Sequence, residues 1–161
     1  MTLSDSDAVA ALIRQAFAAQ AVATDPLPSA LRVSGADVVA HLQRGGGGAV
    51  ALVDDVLAGS ALWEEKDGGL YLSRVAVAPA YRQRGIGRAL VGSAEAAARA
   101  KRLPRMFLAT RLVLADNRRL FAACGFVETE RTAHPGYDAP TSVTMVKVLT
   151  SPARAGEVDG A

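Results

Sequence analysis

The sequence Leu72-Ser73-Arg74-Val75-Ala76-Val77-Ala78-Pro79-Ala80-Tyr81-Arg82-Gln83-Arg84-Gly85-Ile86-Gly87-Arg88 joins an apolar β segment to a glycine-containing turn and the start of a long helix. A turn that runs directly into a helix N-terminus presents backbone N–H groups without intrahelical acceptors, and glycines let those amides approach a phosphate closely. A Walker loop would end in Gly-Lys-Ser/Thr, and a Rossmann loop would add a third glycine and a later acidic residue. Neither pattern is present, so the stretch predicts an anion-binding turn of another kind.

The basic residues gather in the same part of the chain. Residues 82–119 hold ten Lys/Arg against two Asp/Glu, whereas residues 1–81 hold five against nine, although the net charge of the chain is only +2. This distribution favours one bound anionic ligand, and the alternative is a solvated basic helix face. Phe107 is the one aromatic residue within the basic segment, which disfavours a nucleic-acid-binding module.

Length and composition predict one globular domain over residues 1–150, followed by a disordered tail over residues 151–161. Half of the 161 residues are hydrophobic, enough for a two-layer core without disulfides or metals. The single cysteine, Cys124, cannot form an internal disulfide and fits a reducing compartment. We find neither a secretory signal nor a membrane-spanning stretch, and we therefore expect a soluble, cytoplasmic protein without a membrane partner.

Hydrophobic periodicity predicts an alternation of helices and strands. The expected helices are 5–20 (capped by Ser4), 34–42 (capped by Ser34 and ended by Gly45–Gly48), 85–101 and 117–123, and the expected strands are 49–53, 56–64, 70–78, 105–110, 126–132 and 142–149. Asp54-Asp55 is short enough for a tight hairpin. The four consecutive glycines 45–48 are compatible with a hinge or lid, but an ordinary helix stop and surface loop is the simpler interpretation.

The third strand contains a phase slip. Leu70 and Leu72 share one parity, whereas Val75 and Val77 share the other. One extra residue near Ser73-Arg74 would place all four on the same face, so we predict a β-bulge there. The alternative is a strand buried on both faces, in which parity carries no information.

These motifs resemble those of the GNAT superfamily of N-acetyltransferases, whose signature Arg/Gln-x-x-Gly-x-Gly/Ala matches Arg82, Gly85 and Gly87. The likeness covers most of the chain, because Val75–Pro79 resembles the strand that lies beside pantetheine and Asn117–Phe126 resembles the C-terminal motif of the family. It implies an α+β fold of α/β/α type, with a mixed, mostly antiparallel central sheet flanked by helices. It also implies acetyl-CoA as the acyl-donor cosubstrate.

The resemblance further implies roles for individual residues. Backbone groups of Val75 and Val77 would pair with the pantetheine amides, and the bulge would aim the N–H of Val75 at the thioester carbonyl as the oxyanion donor. The residues implied in cofactor binding are Val75, Ala76, Val77, Arg82, Gln83, Arg84, Gly85, Ile86, Gly87, Arg88, Asn117, Arg119 and Phe121, with Arg118 as an alternative to Arg119 for the nucleotide phosphate.

Two features depart from the family pattern. The tyrosine that protonates the leaving thiolate in many members is replaced here by Phe121, four residues before Gly125-Phe126. A thiol has a pKa near about 8.5, so water or another residue such as Tyr137 can take over that role. Only Met1-Thr2-Leu3 precedes the predicted first helix, so we expect the N-terminal edge strand of the family to be truncated or absent.

The candidates for the general base are few. Glu64 and Glu65 end the strand beside the predicted cofactor strand, and the alternative for both is a solvated strand end. His134 lies in the turn His134-Pro135-Gly136-Tyr137, and its alternative is a surface loop residue. We expect His41 at the surface and Trp63 in the core or a pocket wall.

The function predicted from these features is transfer of an acetyl group from acetyl-CoA to a primary amine of a small molecule, peptide or protein. A longer acyl donor remains open. The alternative from another class is a non-catalytic acyl-CoA sensor, for which Phe121 is the argument. A homodimer is compatible with the sequence, which does not decide the oligomeric state, the acceptor or the proton-transfer residues.

Overall fold

A computed structural model describes residues 1–20 and 22–149 of the chain. The helices are α1 (Ser6–Ala18), α2 (Gly35–Gln43), α3 (Ile86–Ala100) and α4 (Ala115–Ala123), with short 3-10 turns at Leu3–Asp5, Ser29–Arg32 and Pro79–Tyr81. The strands are β1 (Gly47–Val53), β2 (Val56–Lys66), β3 (Gly69–Val77), β4 (Arg105–Arg111), β5 (Val127–Thr132) and β6 (Ser142–Val148). The predicted tail over residues 151–161 lies outside the described residues.

The six strands form one sheet in the order β1-β2-β3-β4-β6-β5. Every pair of neighbours is antiparallel except β3 and β4, which run parallel. The expected mixed, mostly antiparallel sheet with flanking helices is therefore confirmed. Within the described residues, the sheet begins at Gly47 and no strand precedes α1.

Two hydrophobic clusters cover the two faces of the sheet. On one face, α3 and α4 pack against Leu70, Leu72 and Met106, and α3 buries an apolar stripe at helical spacing. On the other face, α1 and α2 pack against Leu62 and Ala76. Neighbouring residues of β2 and β3 thus alternate between the two clusters, as the period of a strand requires.

Local sequence signals account for most of the turns. Asp54 and Asp55 both have positive φ, at 49° and 65°, as expected for a tight hairpin between β1 and β2. Ser34 accepts a hydrogen bond from the Asp37 N–H and begins α2, as predicted. The cap predicted at Ser4 is wrong, because Thr2 and Asp5 form the capping box of a preceding 3-10 turn.

Only the first two of the four glycines 45–48 lie in a loop, whereas the sequence predicted a loop over all four. Gly45 ends α2 with a φ of 94°, but Gly47 and Gly48 already pair with Trp63 and Leu62 in the β1–β2 ladder. Two glycines that are already paired in the sheet cannot serve as part of a hinge or lid. The helix-stop interpretation therefore describes the segment better.

His41 corrects another expectation, because it is buried rather than at the surface. Its Nε2 lies 3.0 Å from the carbonyl oxygen of Gly47, so the ring links α2 to the first strand. The burial is confined to this side chain, because Gln43 and Arg44 at the end of α2 are exposed. Trp63 lies in the core, as predicted.

The predicted bulge in β3 is confirmed. Ser73 pairs with Leu62 and Ala76 pairs with Ser60, so Arg74 and Val75 together oppose the single residue Ala61. Arg74 adopts a left-handed φ of 50°, a backbone conformation that residues other than glycine rarely take. The extra residue returns Val75 and Val77 to the face that buries Leu70 and Leu72.

None of the helices in the described part of the chain combines the length and the apolar character needed to cross a membrane.

Candidate active site

Strands β3 and β4 separate soon after they meet. Their parallel pairing comprises only Leu70 with Met106 and Tyr71 with Phe107. Beyond these pairs, β4 continues along β6 while β3 follows β2 through the bulge at Arg74. The separation opens the middle of the sheet.

A cavity of about 260 Å³ occupies this gap. Residues 71–75 of β3 form one wall, and residues 108–111 of β4 form the other. On the α4 side it is lined by Asn117 and Phe121, and on the α1 side by Phe17 and Ser29. The cavity is therefore lined by residues from both faces of the sheet.

The turn before α3 has a backbone conformation that can hold an anion. Gln83 and Gly85 have φ values of 63° and 81°, so left-handed residues alternate along the turn and make its amides converge. The first amide inside the helix to bond a helical carbonyl is that of Ala89, which donates to Gly85 O at 3.0 Å. The N–H groups of Ile86, Gly87 and Arg88 are consequently free of intrahelical acceptors.

The arginines of this turn differ in their availability. Arg82 donates to the carbonyls of Ala16 at 3.0 Å and Ala19 at 3.2 Å, so its side chain caps the C-terminus of α1. The guanidinium of Arg82 therefore ties the turn to α1, and the contribution of Arg82 to cofactor binding stays a prediction. Arg84 lies over the ring of Tyr81, at 5.3 Å from the centroid, and remains exposed.

Helix α4 brings Asn117 and Phe121 to the cavity wall. Phe121 is 7% exposed and packs edge-on against Phe126, so it is also a core residue. Arg118 donates to both oxygens of Glu128, at 2.8 and 2.9 Å, and this pairing raises the pKa of its guanidinium. Arg119 is exposed, and its only ion-pair partner among the described residues is Asp116, which makes it the more available arginine for a phosphate.

His134 lines the opposite side of the cavity. Its Nδ1 is hydrogen-bonded to the hydroxyl of Thr141, and its backbone N–H donates to the same oxygen at 3.0 Å. Burial, and then the positive charge of Arg111, lower the pKa of the imidazole. The neutral form, which can accept a proton, is thereby favoured near pH 7.

Tyr137 and Glu64 are placed less favourably. The hydroxyl of Tyr137 donates to Asp25 Oδ1 at 2.5 Å, and this bond is the main cause that raises the pKa of the phenol. Glu64 pairs with Tyr71 across the β2–β3 ladder, and Glu65 forms an ion pair with Lys101 at 3.2 Å. Neither Tyr137 nor Glu64 lines the cavity.

Two cavity residues were missed at the sequence level. Arg74 projects from the bulge and Arg111 ends β4, and both line the gap between the strands. An arginine inside an otherwise apolar strand was the signal available for Arg74. Arg111 directly follows the predicted strand 105–110, a position where a charge is ordinarily solvated.

No group of three or more His, Cys, Asp or Glu side chains in residues 1–20 and 22–149 is arranged to hold a metal ion. The groups able to hold a ligand are instead the turn amides, the open strand edge and the arginines.

Comparison with known proteins assigns the class. Residues 9–126 match the model of the acetyltransferase (GNAT) family, so the chain belongs to this family of acetyl-CoA-dependent transferases. No curated protein sequence matches the chain significantly.

Solved structures share the fold. The PaiA N-acetyltransferase of Thermoplasma acidophilum in complex with coenzyme A superposes with a TM-score of 0.73 at 17% identity, covering 92% of this chain and 96% of its own. The ribosomal-protein-S18-alanine N-acetyltransferase of Escherichia coli gives 0.73 at 18% identity, with 94% and 92% covered. A protein of Bacillus anthracis in complex with acetyl coenzyme A gives 0.59 at 19% identity, with 63% and 61% covered. These identities support a shared fold only.

The environment of His134 leads to a titration prediction. We expect its pKa, followed by NMR of the imidazole, to lie below the ordinary value of about 6.5, because burial and the charge of Arg111 both disfavour the imidazolium. Arg111→Gln should raise that pKa by removing the nearby charge. An unshifted pKa in the wild-type protein, or no response to Arg111→Gln, would contradict this electrostatic description.

Proposed function

We propose that this protein is an N-acetyltransferase that transfers the acetyl group of acetyl-CoA to a primary amine by direct attack on the thioester. The observation that carries the proposal is the gap between β3 and β4, which opens beside a bulged strand and ahead of the exposed amides at the start of α3. Membership of the GNAT family supports acetyl transfer, and the arrangement of the cavity supports two substrates that meet from opposite faces.

On the α3 side, we propose that the amides of residues 83–88 hold the pyrophosphate of the cofactor. Converging N–H groups and the positive end of the helix favour an anion there. The pantetheine arm would run along Val75 and Val77, whose strand edge is not covered by β4, with Ala76 turned to the other face and buried. Asn117 would face this arm, Phe121 would pack beside it, and Arg119 could reach a nucleotide phosphate.

The bulge supplies a candidate oxyanion donor. Arg74 and Val75 share one partner residue on β2, and β4 has already departed at this level. An amide outside both ladders can point at a carbonyl in the gap. We propose that the N–H of Val75 stabilises the negative charge that develops on the thioester oxygen, a role worth about 3 kcal/mol in other acyl-transfer enzymes.

Proton removal from the incoming ammonium requires a base. His134 is the proposed base because it lines the cavity and has a lowered pKa. In the proposed tautomer, Nδ1–H donates to the Thr141 hydroxyl and Nε2 accepts the proton of the ammonium. Glu64 and Tyr137 remain weaker candidates, since both lie outside the cavity wall. The free amine nitrogen then attacks the acetyl carbon, the carbon–sulfur bond breaks, and coenzyme A leaves as a thiolate. The nitrogen loses its second proton, which reaches the thiolate through water, so the products are the neutral amide and coenzyme A.

Phe121 leaves this thiolate without a phenolic acid beside it. A thiol with a pKa near about 8.5 is a tolerable leaving group at neutral pH, so water can protonate it after departure. We therefore favour an active enzyme over a non-catalytic acyl-CoA sensor. Reduced Cys124 is consistent with the cytoplasm, and the amine acceptor can be a small molecule, a peptide or a protein.

Cofactor binding can be tested by thermal denaturation. Acetyl-CoA at 100 times its Kd should add about 2.7 kcal/mol to the free energy of unfolding. Gly85→Glu should abolish the ligand-induced shift, because the new carboxylate repels phosphate and the side chain strains a residue with a φ of 81°. Gly92→Glu is the matched control on the same helix, where a Cβ meets open space. An equal shift in both variants, or none in the wild type, would refute the proposed cradle.

Turnover can be tested by amine-dependent release of CoA with a panel of primary amines. We expect His134→Gln to lower kcat/KM by about 100-fold or more while leaving the acetyl-CoA thermal shift intact. The wild-type rate should fall as the pH drops through an apparent pKa below about 6.5, because protonated His134 cannot accept a proton. Full activity of His134→Gln would exclude this base, and binding of acetyl-CoA without release by any amine would favour the sensor.

A further inference from the structure

Two half-buried arginines line the gap from opposite walls. Arg74 projects from the bulge of β3, and Arg111 projects from the end of β4. Arg74 donates to the hydroxyl of Ser29 at 2.9 Å, and Arg111 donates to the carbonyl of Pro26 at 2.6 Å. Both side chains therefore turn towards the segment that precedes α2, on the α1 face of the sheet.

Neither guanidinium has a carboxylate partner in the described part of the chain, where every ion pair involves other cations. Asp37 lies near Arg74 and Asp25 lies near Arg111, but each carboxylate is hydrogen-bonded to another group. Asp37 caps α2 through Ser34, and Asp25 accepts the hydroxyl of Tyr137. Arg118, in contrast, is neutralised by two hydrogen bonds to Glu128.

A partly buried charge without a hydrogen-bonded counter-ion is costly, and here burial lowers the pKa of both guanidinium groups more than the nearby carboxylates raise it. Each arginine has five N–H donors, so a single bond to a neutral oxygen leaves most of them unused. An oxyanion placed between the two side chains would offset the burial cost. Arginine is also the residue best shaped to hold a carboxylate or phosphate through two parallel hydrogen bonds.

The position of this pair separates it from the cofactor phosphates. The cavity lined by Arg74 and Arg111 includes no residue of the turn 82–88. A second cavity adjoins it on the α1 face and shares Ser29, Arg111 and His134 with it. It adds the exposed Arg32 and one carboxylate, Asp25, which accepts the hydroxyl of Tyr137. The positive charge thus lies beside the proposed base, where the acceptor would enter.

We propose that the acceptor is an amine that also carries a carboxylate or phosphate group, and that Arg74 and Arg111 bind this anionic group while His134 receives the proton from the ammonium. The inference rests on the proposed acetyltransferase function and assigns its substrate class. Arg32 adds long-range attraction at the entrance.

The test uses pairs of amines that differ only in the anionic group: α-amino acids with their carboxamides, ω-amino acids with their carboxamides, and phosphoethanolamine with ethanolamine. Each pair is measured by CoA release and by added thermal stabilisation of the CoA-saturated protein. In at least one pair, the anionic member should be preferred about 10- to 100-fold, the range expected for charged hydrogen bonds. The pair in which the anionic member is preferred shows whether the acceptor carries a carboxylate or a phosphate.

At about pH 8, where His134 is neutral in the wild type and in the variants, Arg74→Gln and Arg111→Gln should each remove about tenfold or more of kcat/KM for the anionic member, and leave the neutral member within about twofold. Comparing variant with wild type on the same amine cancels differences in intrinsic nucleophilicity. Arg111→Lys keeps the positive charge but loses the two parallel N–H donors of the guanidinium. It should therefore retain more of the preference for the anionic amine than Arg111→Gln does. Arg44→Gln, at an exposed arginine after α2, is the matched control and should leave the preference unchanged.

The outcomes separate this inference from the function on which it rests. If acetyl-CoA stabilises the protein but no anionic amine is preferred in either measurement, the inference fails and the transferase proposal stands. Equal losses for anionic and neutral amines in the glutamine variants would likewise show that the arginines only hold the 26–29 segment. If acetyl-CoA does not stabilise the wild type, both proposals fall together.

Discussion

The early separation of β3 from β4 is the constraint on which the rest of the site depends. Two parallel residue pairs hold the halves of the sheet together, and the left-handed residue at Arg74 then makes two residues of β3 oppose one of β2. A continuous ladder would satisfy the amides of β3 and close the gap. The bulge instead leaves a polar strand edge inside the sheet, lined on both faces by packed helices.

The structure places positive charge in two different forms on the two faces. On the α3 face it consists of the backbone amides at a helix N-terminus, which have no intrahelical acceptors. On the α1 face it consists of the side chains of Arg74 and Arg111, with Arg32 at the entrance of the adjoining cavity. Arg82 connects these regions, since it lies in the turn before α3 but caps the last carbonyls of α1. A movement of α1 would therefore shift the turn that is proposed to hold the pyrophosphate, because Arg82 is hydrogen-bonded to the end of α1.

Local patterns in the sequence predicted what depends on local physics. The parity slip between Leu72 and Val75 located the bulge, the Asp54-Asp55 pair located a hairpin, and Ser34 located a helix start, because each depends on near neighbours. The family signature pointed to the turn at Gly85. The cap at Ser4 failed because Thr2 offered a competing capping box one turn earlier.

Long-range partners could not be predicted in the same way. Arg82 bonds a helix 66 residues away, and Tyr137 bonds Asp25 across 112 residues, so nothing in their local sequence indicates these uses. His41 was assigned to the surface because a polar residue on a short amphipathic helix is ordinarily exposed, and only the packing of α2 on β1 buries it. Arg111 lines the cavity because β3 and β4 diverge. The residue pattern along a single strand does not predict where two strands diverge.

The central claim, that one anionic acyl donor lies along the open edge of β3 and ends at the start of α3, can be tested most directly by amide hydrogen exchange with and without acetyl-CoA. Slower exchange is expected at Val75 and at the amides of residues 83–88, while the exposed strand β5 serves as an internal control. Protection confined to these segments would support the account. Unchanged exchange there, or protection centred on another part of the chain, would contradict it.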